Sequence, residues 1–219
     1  QVELRIAAAM SKEQGLIEAF QKGEDIHAAT ASKVFGVSLE DVTREQRSQA
    51  KAVNFGILYG QGAFGLAETL GISRKEAKSI IDAYHAKFAG LEAFTQTCVA
   101  EARESGMAKT LLGRRRPLAD IHSNNAVVRA FAERNAVNTP IQGSAADIIK
   151  LAMIDVAKEM RGMKSRLIMQ VHDELVVDAA VDELEEVKAL LVRCMERAVK
   201  LDVPLEVEVS HGQNWLEAH

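Results

Sequence analysis

The segment from Arg166 to Asp178, RLIMQVHDELVVD, places His172-Asp173-Glu174 between two apolar runs, Leu167-Ile168-Met169 and Leu175-Val176-Val177. Two adjacent carboxylates at a hairpin tip repel each other unless a cation is near. Hard oxygen ligands on a rigid corner suit Mg²⁺, which takes one or two carboxylates together with substrate phosphate oxygens. Acids are also common in ordinary solvated turns. The hairpin therefore needs a phosphate-binding partner before it counts as a site.

REQRSQAKAVNFGILYG supplies one. Arg47, Lys51, Phe55 and Tyr59 recur at intervals of four, which on a helix makes one slowly drifting stripe. Two cations can hold a triphosphate while two aromatics meet a sugar and a base. The same spacing describes an amphipathic helix with core aromatics and solvated cations. Arg134, Asn138 and Gln142 repeat the interval, and such donors suit a minor groove or a sugar-phosphate backbone. Arg114-Arg115-Arg116 can contact phosphates, or can simply be a solvated basic loop.

These residues need elements to hold them. Most of the first 165 residues read as helix. One spans Asp25 to Phe35, another starts near Arg44 behind the capping-box pattern Thr43-x-x-Gln46, a third follows Ser73, and a fourth runs from Gly90 to Ser105. MAKTLLGRRRPLADIHSNN reads as irregular. Ala126 to Met160 reads as helix interrupted at Pro140 and Gly143. Two short strands then flank the acidic tip, a helix starts at Asp182, and Val203, Leu205, Val207 and Val209 alternate as in a strand with one buried face. Gly60-Gln61-Gly62-Ala63-Phe64-Gly65 matches the dinucleotide-binding glycine pattern, but helical sequence on both sides excludes that fold. The expected class is α+β, helices followed by a small antiparallel sheet.

The chain has 219 residues and a net charge of −4, unevenly spread. Residues 172–219 carry 12 acids against 4 Lys/Arg, so the body before them is mildly basic. That polarity is compatible with phosphate binding beside a metal-binding corner. The two cysteines, Cys98 and Cys194, are far apart and read as buried free thiols of a reducing, cytoplasmic setting. No segment is apolar enough to span a membrane. The first residue is Gln1, so the chain is expected to begin after processing or partway through a longer protein.

QVELRIAA, RSQAKAVNFGILYG and QVHDEL, in this order and separation, resemble the three polymerase motifs of family A DNA polymerases, the bacterial DNA polymerase I family. DIHAATASKVFGV, ERNAVNTPIQGSAADIIK and LEVEVSHGQNW fit the same family, so the resemblance runs from Gln1 to His219. It implies three parts: a palm–fingers connection over residues 1–24, helical fingers over 25–125, and the C-terminal part of an antiparallel-sheet palm over 126–219.

The resemblance also implies roles. Arg47 and Lys51 bind the incoming triphosphate, and Lys51 is the candidate general acid for pyrophosphate. Phe55 senses the sugar 3′ side, and as Phe implies discrimination against dideoxynucleotides. Tyr59 stacks near the templating base. His27 contacts the phosphates, and Gln1 belongs with the nucleotide site. Glu3 blocks a ribose 2′-hydroxyl, so DNA rather than RNA is the expected product; single-subunit RNA polymerases share the helix pattern and the His-Asp hairpin but lack this Glu. Arg134, Asn138 and Gln142 touch primer and template, with Arg114 and Arg115 on phosphates and His172 by the primer terminus. Asp173 binds metal and Glu174 supports it, in a reaction that uses two Mg²⁺ ions, dNTP and primer-template DNA.

The family's first motif begins with an aspartate expected three residues before Gln1, and the thumb and upstream palm also lie outside this sequence. The isolated chain is accordingly expected to have little or no polymerase activity. A non-catalytic nucleic-acid-binding module on the same fold is the competing reading.

Overall fold

The computed structural model describes residues 2–218. Helices α1 (Val2–Ser11), α2 (Gln14–Gln21), α3 (Ile26–Phe35) and α4 (Arg44–Leu58) come first. Their limits follow from local chemistry. The Asp25 side chain accepts the amides of His27 and Ala28 at the start of α3, and Gly36 ends that helix at φ 65°, a conformation glycine adopts without a Cβ penalty. Thr43 and Gln46 form the expected capping box on α4. That helix stops at Tyr59, where Gly60 turns the chain at φ 77°. Gly62 leads into α5 (Ala63–Leu70), which contains Gly65. The three glycines of the dinucleotide-like pattern thus serve a helix–helix junction.

A second capping box, Ser73 with Glu76, opens α6 (Arg74–Lys87), and α7 (Ala89–Ser105) ends at Gly106. The segment expected to be irregular instead forms a hairpin, β1 (Met107–Lys109) against β2 (Arg115–Pro117), followed by a 3₁₀ turn over Ala119–His122. Each strand is three residues long, too short for alternation to declare it in the sequence.

The expected interruption at Pro140 and Gly143 is corrected too. Helix α8 (Ala126–Glu159) runs unbroken through both. A mid-helix proline costs about 3 kcal/mol. Here Val137, Ile141 and Ile148 are buried on either side of it, and each such side chain is worth about 1.5–3 kcal/mol, so packing prevails. Gly143 is small for a different reason: a Cβ there would lie 2.6 Å from Thr110 Cγ2 of the hairpin.

The last quarter holds β3 (Arg166–Val171) and β4 (Glu174–Asp178), antiparallel with Val171 opposite Glu174. Then come α9 (Leu184–Glu196) and the short α10 (Trp215–Ala218). Residues 203–209 do alternate between inward and outward side chains, but no strand forms there. Among the described residues β3 and β4 pair only with each other, and a strand needs a partner ladder, not just an apolar face.

The main core joins Leu4 and Ile6 of α1, Val53 of α4, Leu66 of α5, Ile141 of α8 and Val203. Smaller clusters lie under the first hairpin and between α8 and α9. Both cysteines are buried and unpaired. No helix among the described residues is long and apolar enough to cross a membrane.

Candidate nucleotide and nucleic-acid site

Helix α4 carries the stripe on one face, as its spacing requires. Arg47 is half-exposed, its Nε 2.5 Å from Asp25 Oδ2. Lys51, one turn on, is exposed and without an ion pair among the described residues. Phe55 and Tyr59 stack, ring centroids 6.2 Å apart and planes 26° off parallel.

His27 lies beneath this face, 2% exposed, 6.0 Å from the Phe55 ring centroid. The Asn54 amide bridges His27 Nδ1 at 2.9 Å and the Thr30 hydroxyl at 3.0 Å, joining α4 to α3 through buried groups. Burial drives the imidazole pKa down to about 4; Asp25 works against this, and Arg47 and Lys51 add to it. The ring is therefore neutral at pH 7. In this arrangement it supports the stripe from below and does not lie open to a phosphate.

Three elements meet at the C-terminal end of α4. The Tyr59 hydroxyl donates to the Glu3 carboxylate of α1 and shares a further hydrogen bond with the Gln142 side chain of α8. Burial, then Glu3, push the phenol pKa upward. Arg134, also on α8, packs over the backbone of Gly60, its Cγ 3.4 Å from where a Cβ would stand, with its guanidinium 5.8 Å from the Phe131 ring. Asn138 lies between Arg134 and Gln142 with its Oδ1 buried and unpartnered among the described residues. Glu3, Tyr59, Arg134 and Gln142 are thus neighbours although 139 positions separate the first from the last.

The basic triplet divides. Arg114 is 2.5 Å from Asp147 and donates to the Gly143 carbonyl at 2.9 Å. Arg116 reaches the Thr139 hydroxyl at 3.3 Å. Thr110 donates to Asp147 at 2.7 Å, and the Leu111 amide donates to Ser144 Oγ at 2.8 Å. These bonds dock the hairpin on α8 and leave Arg115 the one of the three exposed arginines whose side chain has no hydrogen bond or ion pair among the described residues.

At the acidic tip, His172 and Asp173 form a two-residue loop, and Glu174 opens β4. His172 takes φ 51°, a conformation that costs a non-glycine residue about 1–2 kcal/mol and collects at functional turns. Asp173 and Glu174 line a cleft of about 1240 Å³ together with Val2 and Arg5 of α1. Glu3, on the same helix, accepts from Tyr59, so α1 contributes side chains both to the cleft and to the stripe. No group of three metal-donor side chains occurs among the described residues. Two carboxylates fit Mg²⁺ as part of a coordination set that phosphate oxygens and water would complete. Gln1 lies outside the described residues.

The sequence reading did not single out Asp25, Asn54, Asp147 or Arg5. Asp25 had a visible signal, an N-cap acid before a helix. Arg5 had none: it is 7% exposed, stacks 4.6 Å over Phe20 and donates to Pro204 O and Glu206, contacts that no local pattern announces.

Residues 1–217 match the profile of DNA polymerase family A. DNA polymerase I of Lactococcus lactis subsp. cremoris is 49% identical over 221 residues, and that of Geobacillus stearothermophilus 51% over 220; each alignment covers all of this chain and 25% of the relative. The chain thus spans about a quarter of the length of these curated relatives. Among solved structures, the POL domain of Pol1 from M. smegmatis, in complex with DNA primer-template and dNTP, superposes with a TM-score of 0.96 at 46% identity, covering all of this chain and 39% of that one. A profile spanning nearly the whole chain, with relatives identical at about half of the aligned positions, establishes that the chain belongs to DNA polymerase family A.

Proposed function

We propose that this chain is the fingers and part of the palm of an enzyme that extends a DNA primer on a DNA template. The observation that carries the reading is the junction of Tyr59, Glu3 and Gln142, which ties a cation–aromatic stripe to two other elements. On this reading the junction joins an anion-binding face, a carboxylate that excludes a 2′-hydroxyl, and a polar helix row. The M. smegmatis relative's complex with primer-template and dNTP supports the same assignment of ligands.

Arg47 and Lys51 hold the triphosphate, and Lys51 donates a proton to the departing pyrophosphate. Phe55 packs on the sugar and Tyr59 on the templating base, while Glu3 rejects ribose. Arg134, Asn138 and Gln142 contact primer and template, with His172 at the primer terminus. Arg115 takes a backbone phosphate, and Arg114 is mainly an anchor to α8. His27 keeps α3 and α4 in register beneath the nucleotide. Asp173 and Glu174 would hold Mg²⁺ in part, and the bound ions would supply charge neutralisation at the reacting phosphates by the two-metal scheme. The division into residues 1–24, 25–125 and 126–219 belongs to this proposal.

Having two carboxylates and no three-donor cluster among the described residues favours a second reading for the chain by itself, a nucleic-acid-binding module without turnover. Mg²⁺-dependent primer extension decides, run on this chain beside a longer one carrying the preceding residues of its own gene. Extension by the longer chain, abolished by Asp173→Asn with primer-template binding retained, is the expected result. Silence from both leaves the binding module; substantial turnover by Asp173→Asn removes the assigned role.

A further inference from the structure

The Asp25 carboxylate makes two sets of contacts. Oδ1 accepts the backbone N–H groups of His27 and Ala28, both at 3.0 Å, and so caps α3. Oδ2 accepts from Arg47 Nε at 2.5 Å, across to the first turn of α4. The two helices pack against each other, with Asn54, Thr30 and His27 locking them from within. Burial raises the carboxyl pKa, but Arg47 and the two amides outweigh it and hold it below the usual range. Asp25 is therefore charged at neutral pH, its charge shared between a helix N-terminus and a guanidinium.

The atom used on Arg47 matters. A guanidinium is a planar fork of five N–H donors. Held through Nε, it leaves both Nη nitrogens, which have no hydrogen bond among the described residues, free to take two oxygens side by side. A carboxylate gripping the Nη pair would instead compete with a phosphate for the same donors. We propose that Asp25 is a positioning residue for nucleotide binding: it fixes Arg47 through Nε so that the Nη edge meets the triphosphate already oriented. This inference rests on the reading of Arg47 as a triphosphate ligand.

Asp25→Asn is the decisive variant, because Asn is as good an N-cap as Asp but offers Arg47 no carboxylate. Asp25→Ser, also a good cap, is its companion. The chain is titrated with 2′-deoxyadenosine triphosphate and with inorganic tripolyphosphate, and the Arg47 Nε–H resonance is followed by NMR. Expected are thermal midpoints near wild type, an exchange-broadened Nε–H signal, and affinity for both anions lower by roughly three- to tenfold, the order for releasing part of an arginine's rotamer freedom. In an Arg47→Ala background the same substitution should change affinity no further. Tighter binding by Asp25→Asn would mean that the carboxylate merely repels the anion, and would overturn the proposal. So would a loss that persists without Arg47, or an unaltered Nε–H signal. If wild type binds neither probe, or Arg47→Ala binds as well as wild type, the nucleotide-site reading fails instead, and the Nε–H signal still decides whether Asp25 holds Arg47.

Discussion

Burial of His27 gives the chain a pH dependence that composition does not suggest. Its folded pKa of about 4 lies below the ordinary histidine value of 6.5, so between these values the unfolded chain binds a proton that the folded chain refuses. Stability then rises with pH across that window and falls as pH drops through it. Glu183, held down to about 2 by Ser165 and the amide of Lys164, acts in a lower window, below 4.5. Denaturant unfolding followed from pH 6.5 to 4.5 should therefore show a slope that His27→Gln makes shallower; an equal slope in both proteins would show that His27 is not the source. The site residues at this scale were legible where chemistry is periodic, as in Arg47 to Tyr59. They were illegible where it is tertiary: that His27 lies under the stripe depends on Asn54 reaching it from another helix.

Helix α8 and the hairpin that docks on it show what decides an element against its local signals. Pro140 and Gly143 read as breaks because sequence shows propensity and not the packing that overrides it. The contact at Gly143 yields a test: Gly143→Ala adds a methyl in conflict with Thr110 Cγ2 and should lower stability by about 1–3 kcal/mol. Thr110→Ser removes that methyl and keeps the hydroxyl, and in its background Gly143→Ala should become neutral or stabilising, by up to about 1 kcal/mol of helix propensity. Thermal melts of the four proteins check both signs. The arginines of the same hairpin separate in a salt titration of primer-template binding. Arg115→Ala should reduce the slope of log K against log salt by about 1. Arg114→Ala should leave that slope nearly unchanged while lowering the melting temperature. The helices were readable because caps and glycines are local; the three-residue strands were not, because a partner ladder defines them.

At the scale of the molecule, the apolar core ignores the order of the chain. Residues from α1, α4, α8 and the 203–205 segment fill one cluster, so the order of helices then sheet, visible in the sequence, describes succession along the chain and not independent units. Arg5 expresses this most directly: its hydrogen bonds to Pro204 and Glu206 span 199 and 201 positions. Closing so long a loop costs entropy before any contact repays it, and high contact order slows folding. During synthesis α1 precedes Val203 and Glu206 and must wait for them before its buried face is covered. Until then Leu4, Ile6 and the charge of Arg5 lack part of their native surroundings, which exposes apolar surface of the kind chaperones bind while α2 to α9 have already been synthesised.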